Sequence, residues 1–202
     1  MINSQKIIIK LGSSLLTNKR GGVNKAVLKN VVKDIIWLLD AKKEVIVVSS
    51  GAISLGKGKL NLKHDLTLNE SQAVAARGQI ELMTAWKNEF KKYKKQVAQV
   101  LLSPSDIKNK KSSNHAIATL ENILGFNCVP IINENDTTST DEIKFGDNDI
   151  LAAQIATLIK ADHLILLSNV DGLYKEPPKT NKNDDLIKEV TSITNKIRDM
   201  AG

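Results

Sequence analysis

Aromatic side chains make up only 3% of this 202-residue chain, and cysteine occurs once. With so few rings there is little for bases to stack on. The net charge of +7 and the pI near 9.4 therefore do not describe a nucleic-acid partner. The lysines are dispersed, with short runs only at Lys91-Lys92, Lys94-Lys95 and Lys108 to Lys111. That is the pattern of a solvated surface, and its potential favours encounter with small anions. The single Cys128 excludes an internal disulfide, and within FNCVPII it reads as a buried, inert thiol. His64, His115 and His163 stand at no metal-ligand spacing, so no protein-held metal is expected. No apolar run approaches the roughly 20 residues of a membrane span. The opening MINSQKIIIKLG has too short an apolar run for a secretory leader. A cytoplasmic globular protein whose mature chain starts at Met1 is expected. GxxxxGK[ST] is missing too, which excludes a P-loop.

What is present is an alternation of short apolar runs and amphipathic stretches. Lys6 to Leu11 (KIIIKL), Glu44 to Ser49 (EVIVVS), Gln96 to Leu102, Asn127 to Ile132 and His163 to Leu167 (HLILL) read as buried strands. Helical spacing runs from Asn24, a cap, to Ala41, from about Asn69 to Tyr93, and from Ser113 to Leu124, where Gly125 closes the helix in the left-handed position. A further helix runs from Asp147 to Lys160. In the longest helix the stripe Ala73, Ala76, Ile80, Met83, Trp86 and Phe90 is expected to face the core or a neighbouring subunit. Apolar strands alternating with helices predict an α/β fold, a mainly parallel sheet covered on both faces. Lys175 to Asp185 (KEPPKTNKNDD) is a polar loop, Val190 to Ala201 a short amphipathic piece, and no repeat or interdomain linker divides the chain. One domain over residues 1–202 is expected.

The chemistry gathers at strand ends. Val129 to Ile150, VPIINENDTTSTDEIKFGDNDI, passes from a buried strand into Asn133-Glu134-Asn135-Asp136 and then, through Gly146-Asp147-Asn148-Asp149, into a helix. A cap or an ordinary loop residue would account for Asp147 or Asn148 alone. Two polar clusters flanking one loop, at the carboxyl end of a strand, are where open α/β folds bind ligands. The first strand carries Lys10 at its end and runs into Gly12-Ser13-Ser14; a lysine there needs a partner unless it snorkels at an edge. Such a turn offers backbone amides to an anion. Ser49-Ser50-Gly51-Ala52 repeats the pattern of buried strand, small residues and helix start, where glycine lets the backbone approach a ligand. Ser168-Asn169 ends the fifth strand.

KLGSSLLT, VVSSGAISLG, VPIINENDTTSTDEIKFGDND and LLSNVDGLY, in this order and spacing, resemble the amino acid kinase family over essentially the whole chain. The resemblance implies a three-layer αβα sandwich around a mainly parallel sheet. It also implies ATP-dependent phosphorylation of the side-chain carboxylate of L-glutamate to L-glutamyl 5-phosphate, with Mg²⁺. By this resemblance Lys10 would contact the phosphates, Gly12 and Ser13 would line its turn, and Asp149 would orient the catalytic lysines. Ser50, Gly51, Asn133, Asp136, Asp147 and Asn148 would hold glutamate, with Lys144 near that loop, and Ser168 and Asn169 would lie by the nucleotide. A homo-oligomer with proline as feedback inhibitor is implied as well. Family members continue past the final MAG with a glycine-rich nucleotide loop and a second catalytic lysine. The nucleotide half is therefore expected to be incomplete, and residues 1–202 to bind glutamate without useful turnover. A glutamate- or proline-binding relic and another small-acid kinase of the same fold are the alternatives. The chemistry is consistent: a carboxylate acceptor is already ionised, so phosphoryl transfer to it needs cations and positioning and no general base.

Overall fold

The computed structural model describes residues 5–18, 20–138, 148–175 and 186–201. They fall into two compact units, Met1–Leu167 and Ser168–Gly202. In the first, the strands β1 (Lys6–Leu11), β2 (Glu44–Ser49), β3 (Gln96–Leu102), β4 (Cys128–Glu134) and β5 (His163–Leu167) form one sheet in the order β3-β4-β2-β1-β5. Every pairing in it is parallel. All the carboxyl ends therefore emerge on one side.

The helices are α1 (Ser13–Leu16), α2 (Lys25–Asp40), α3 (Ala52–Lys59), α4 (Leu68–Lys91), α5 (Pro104–Lys108), α6 (Lys110–Gly125) and α7 (Asn148–Leu158). Strand side chains alternate between the faces, which sorts the interior into two cores. Ile7, Ile9, Leu11, Val45, Val47 and Ile131 pack with α2, α3 and α4. Ile8, Ile46, Val48 and Ile132 pack with α6 and α7. The result is the expected three-layer sandwich. Lys10 shares the face of Ile8, and so it points toward α7 and not toward α2. The second unit holds β6 (Leu173–Tyr174) antiparallel to β7 (Leu186–Ile187), followed by α8 (Asn195–Ala201).

Three local expectations change. The buried face of α4 is Ser71, Val74, Ala75, Gly78, Leu82, Trp86, Glu89 and Phe90. The stripe read from the sequence agrees at Trp86 and Phe90, with Met83 packed against the same core, whereas Ile80 is 63% exposed. Small residues won over large ones because α4 meets α3 at backbone contact. A Cβ on Gly78 would lie 1.7 Å from the Ala52 carbonyl oxygen, and one on Gly56 would lie 2.0 Å from that of Val74. At the end of α6, Gly125 stays helical and Asn127 takes the left-handed conformation at φ 61°. Asparagine tolerates that region better than most residues. Cys128 is half-buried at the start of β4, less enclosed than expected. No helix among the described residues is long and apolar enough to cross a membrane. Lys175 to Asp185 lies outside the described residues except for Lys175.

Candidate functional site

The carboxyl ends of β1, β2 and β4, with the first turn of α7, bring one cluster of polar side chains together. β4 runs two residues further than its apolar run, so Asn133 and Glu134 are strand residues and are buried. Asn148 opens α7 and is only 5% exposed. Its Nδ2 donates to Ser50 Oγ at 2.8 Å, to Asn133 Oδ1 at 3.0 Å and to the Ser49 carbonyl oxygen at 3.5 Å. Asn133 Nδ2 in turn donates to Gln79 Oε1 at 2.8 Å. The Oδ1 of Asn148 is buried and has no hydrogen-bond partner among the described residues. Leaving such an acceptor unmet is costly, and none of the described residues supplies its donor.

Gly51 sits between these groups and α3 as its N-cap, at φ 114°. That conformation strains any residue with a Cβ, which accounts for glycine there. Ser50 N donates to the Leu11 carbonyl, tying the β2 turn to β1. Ser49 Oγ accepts from Trp86 Nε1 at 3.0 Å, so α4 braces the same strand end from the other face. Asp136 opens a short 3₁₀ turn, Asp136–Thr138, directly after β4. Burial, with the Glu134 carboxylate adding to it, pushes its carboxyl up to about 6. A carboxylate so poised gains from a cation brought beside it.

On the α7 side, Lys10 Nζ makes an ion pair with Asp149 Oδ1. Lys10 is buried along its stem and Asp149 is about half exposed, so the pair lies at the mouth of the sheet. Lys10 and Asp149 are thus brought together at one strand end. The Gly12 amide is taken by the Leu167 carbonyl at 3.2 Å and is not available to an anion. A Cβ at Gly12 would make only ordinary contacts, 3.6 Å from Lys10 Nζ and from the Leu167 oxygen. Ser13 is exposed at the start of α1.

Ser50, Gly51, Asn133, Asp136 and Asn148 thus gather at the β2–β4 ends, and Lys10 and Asp149 beside them at β1 and α7. Ser168 and Asn169 open the second unit, with the Ser168 hydroxyl donating to Asn169 Oδ1 at 3.3 Å. Lys144 and Asp147 lie outside the described residues. Sequence reasoning missed Gln79, Trp86 and the Ser49 carbonyl as parts of the network. The available signal was Gly78-Gln79 inside a helix, a small residue permitting close approach beside a polar one. Among the described residues no three His, Cys, Asp or Glu side chains could hold a metal ion.

A parallel sheet whose strand ends carry a lysine–aspartate pair and a carboxamide cluster has its polar side chains where open α/β folds bind ligands. The profile of the Amino acid kinase family matches residues 5–198, and the chain belongs to that family. Curated relatives named glutamate 5-kinase include one from Pelagibacter ubique, 46% identical over 98% of this chain and 54% of its own length. Others are from Brucella anthropi (44%; 99% of this chain, 53% of the relative) and Clostridium perfringens (43%; 99% and 76%). The chain spans about half the length of the first two. Among solved structures, the isopentenyl phosphate kinase of T. acidophilum superposes with a TM-score of 0.59 at 19% identity. It covers 87% of this chain and 75% of that one, a likeness of fold.

Proposed function

We propose that the protein phosphorylates the side-chain carboxylate of L-glutamate with ATP, giving L-glutamyl 5-phosphate, the activating step toward proline. The observation that carries this reading is the buried Asn148 Oδ1, unmet among the described residues, with Asp136 two residues beyond the end of β4. An acceptor and a poised carboxylate within one cluster fit an α-ammonium group, and Ser50 Oγ, accepting from Asn148, keeps its own proton for a carboxylate. Relatives named glutamate 5-kinase, 43% to 46% identical over nearly the whole chain, support the same substrate. Asn133, Asp136 and Asn148 hold and orient the amino acid, Gly51 lets it approach α3, and Lys144 and Asp147 complete that loop. Lys10, steadied by Asp149, neutralises charge growing on the transferring group, the largest contribution available to a protein in phosphoryl transfer.

The donor set fits a nucleotide carrying its own Mg²⁺, since the buried Lys10 faces the mouth and the described residues gather no three-carboxylate site. Lys10 and Ser13 would hold the phosphates, with Gly12 in their turn and Ser168 and Asn169 by the nucleotide; bound ATP supplies the phosphoryl group. Proline as a feedback ligand, homo-oligomeric assembly and a cytoplasmic setting belong to the same proposal and rest on the family resemblance alone. Two measurements test it. Calorimetry without ATP should give saturable glutamate binding, and hydroxylamine with ATP, Mg²⁺ and glutamate should trap γ-glutamyl hydroxamate. Binding without trapping, in a form that also carries the nucleotide half the family resemblance implies, would favour a binding-only relic. Faster trapping with another small acid would favour a different kinase, and the absence of both signals would sink the proposal.

A further inference from the structure

The carboxamides of Asn133 and Asn148 can each sit in two orientations that differ only by exchange of oxygen and nitrogen. Their chemistry toward a ligand inverts between the two: one presents an acceptor, the other a donor. What selects the orientation is therefore part of the site. One end of the relay is the Ser49 main-chain carbonyl, which can only accept and so calls for the Asn148 nitrogen. That contact is long at 3.5 Å and is weak on its own. Ser50 Oγ, at 2.8 Å, can donate or accept and so selects nothing. The remaining selection comes through Asn133, whose Oδ1 faces Asn148 Nδ2 only while its own Nδ2 is engaged elsewhere. Gln79 Oε1 engages it at 2.8 Å.

We infer that Gln79 is a positioning residue of this site: taking its sense from the Ser49 end of the relay, it presents Oε1 to Asn133 Nδ2 and so stabilises both carboxamides in the sense that keeps the Asn148 oxygen out of the relay and turned toward the ligand. Its placement is set by packing. Gly78, its neighbour, lets α4 come within backbone contact of Ala52 in α3, which delivers Gln79 to the end of β4. Gln79 Nε2 is buried and unpartnered among the described residues. The inference rests on the reading of the cluster as an amino-acid site, but its physical content, the orientation of two carboxamides, does not depend on the ligand.

The test is ¹⁵N NMR of the side-chain amide groups, with glutamate titration on the same samples. In the wild-type protein the Asn133 and Asn148 NH₂ groups should exchange slowly with water. Gln79→Met keeps the volume and removes the acceptor. It should accelerate exchange at both residues, including Asn148, which Gln79 does not touch, and weaken glutamate binding by about tenfold, the usual cost of a polar partner lost near a buried group. The thermal midpoint reports whether the fold survives. Gln79→Glu, which restores an accepting oxygen, should recover slow exchange at both asparagines even if its charge costs stability. Unchanged Asn148 exchange in Gln79→Met would overturn the inference, as would failure of Gln79→Glu to restore it. Coupled exchange with no glutamate binding in the wild type would leave the relay standing and remove the substrate assignment instead.

Discussion

The two halves of the candidate site are built on different principles although they lie at one end of one sheet. The β2–β4 half is a largely buried network of neutral carboxamides and hydroxyls held by Ser49, Gln79 and Trp86 from behind, with the Asp136 carboxyl just beyond the end of β4. The β1–α7 half is one ion pair, its lysine stem buried and its aspartate open to solvent. Neutral relays hold a fixed shape without a large desolvation cost. An ion pair at a mouth can exchange one partner for another as charge arrives and leaves. The first half is suited to recognising a ligand whose charges do not change, the second to stabilising charge that develops during transfer.

Breaking the second half should have the larger effect. In a catalytically active form that carries the nucleotide half, Lys10→Ala is expected to lower hydroxamate turnover by roughly 10²–10³, the scale for removing a preorganised charge from a transition state. Glutamate affinity measured without ATP should hardly move. Arginine should rescue poorly, because a planar fork does not reproduce a compact ammonium beside Asp149. A Lys10→Ala protein with near-normal turnover would take the residue out of the chemistry.

Breaking the first half should shift binding instead. Asp136→Asn removes the charge that would meet the ammonium and should raise the KM for glutamate about 10- to 100-fold, as for a charged hydrogen bond. The KM for ATP should change far less. Equal increases in both constants would mean that the substitution disturbs the fold and not recognition.

Much of this contrast was legible in the sequence. Isoleucine runs ending in Lys10, and a strand ending in Asn133 to Asp136, mark strand ends because buried parallel strands leave polar residues only there. Period-two alternation even assigns Lys10 to one face. The supporting layer was not legible. The face that α4 buries is decided by backbone contact at Gly56 and Gly78, which the apolar stripe with Ile80 at its exposed edge does not reveal. Gln79 and the Ser49 carbonyl act through hydrogen bonds between elements distant in sequence, and no local periodicity encodes such a meeting. At Gly12 a small residue suggested an anion turn, whereas its amide is satisfied by β5.

The α3–α4 contact gives a way to loosen the first half without touching a ligand-facing group. Gly78→Ala forces a methyl into the space of the Ala52 carbonyl and should cost about 1–3 kcal/mol in denaturant unfolding, the range for overpacking. Gly125→Ala is the control: nothing lies within 4 Å and the backbone is helical. It should be neutral or stabilising by up to about 1 kcal/mol. If Gly78→Ala costs no more than Gly125→Ala, the helices do not meet as closely as described.

The smallest effect follows pH and separates recognition from stability at a single residue. Asp136 has its carboxyl raised to about 6 in the folded protein by burial and by Glu134, against about 3.9 in an unfolded chain. The folded state therefore holds this proton more tightly. Its stabilising contribution is complete below about pH 4 and is lost as pH rises through about 6. A ligand ammonium reverses the preference, because it favours the ionised form. Ligand-free stability should thus fall between pH 5 and 7, while glutamate affinity rises by about tenfold over the same range, as the ionised fraction of a group titrating near 6 increases. Glutamate's own groups change little across this window. Thermal unfolding and calorimetry in matched buffers would record two slopes of opposite sign, and Asp136→Asn should flatten both. Affinity that stays level or falls from pH 5 to 7 in the wild-type protein would separate Asp136 from the ammonium.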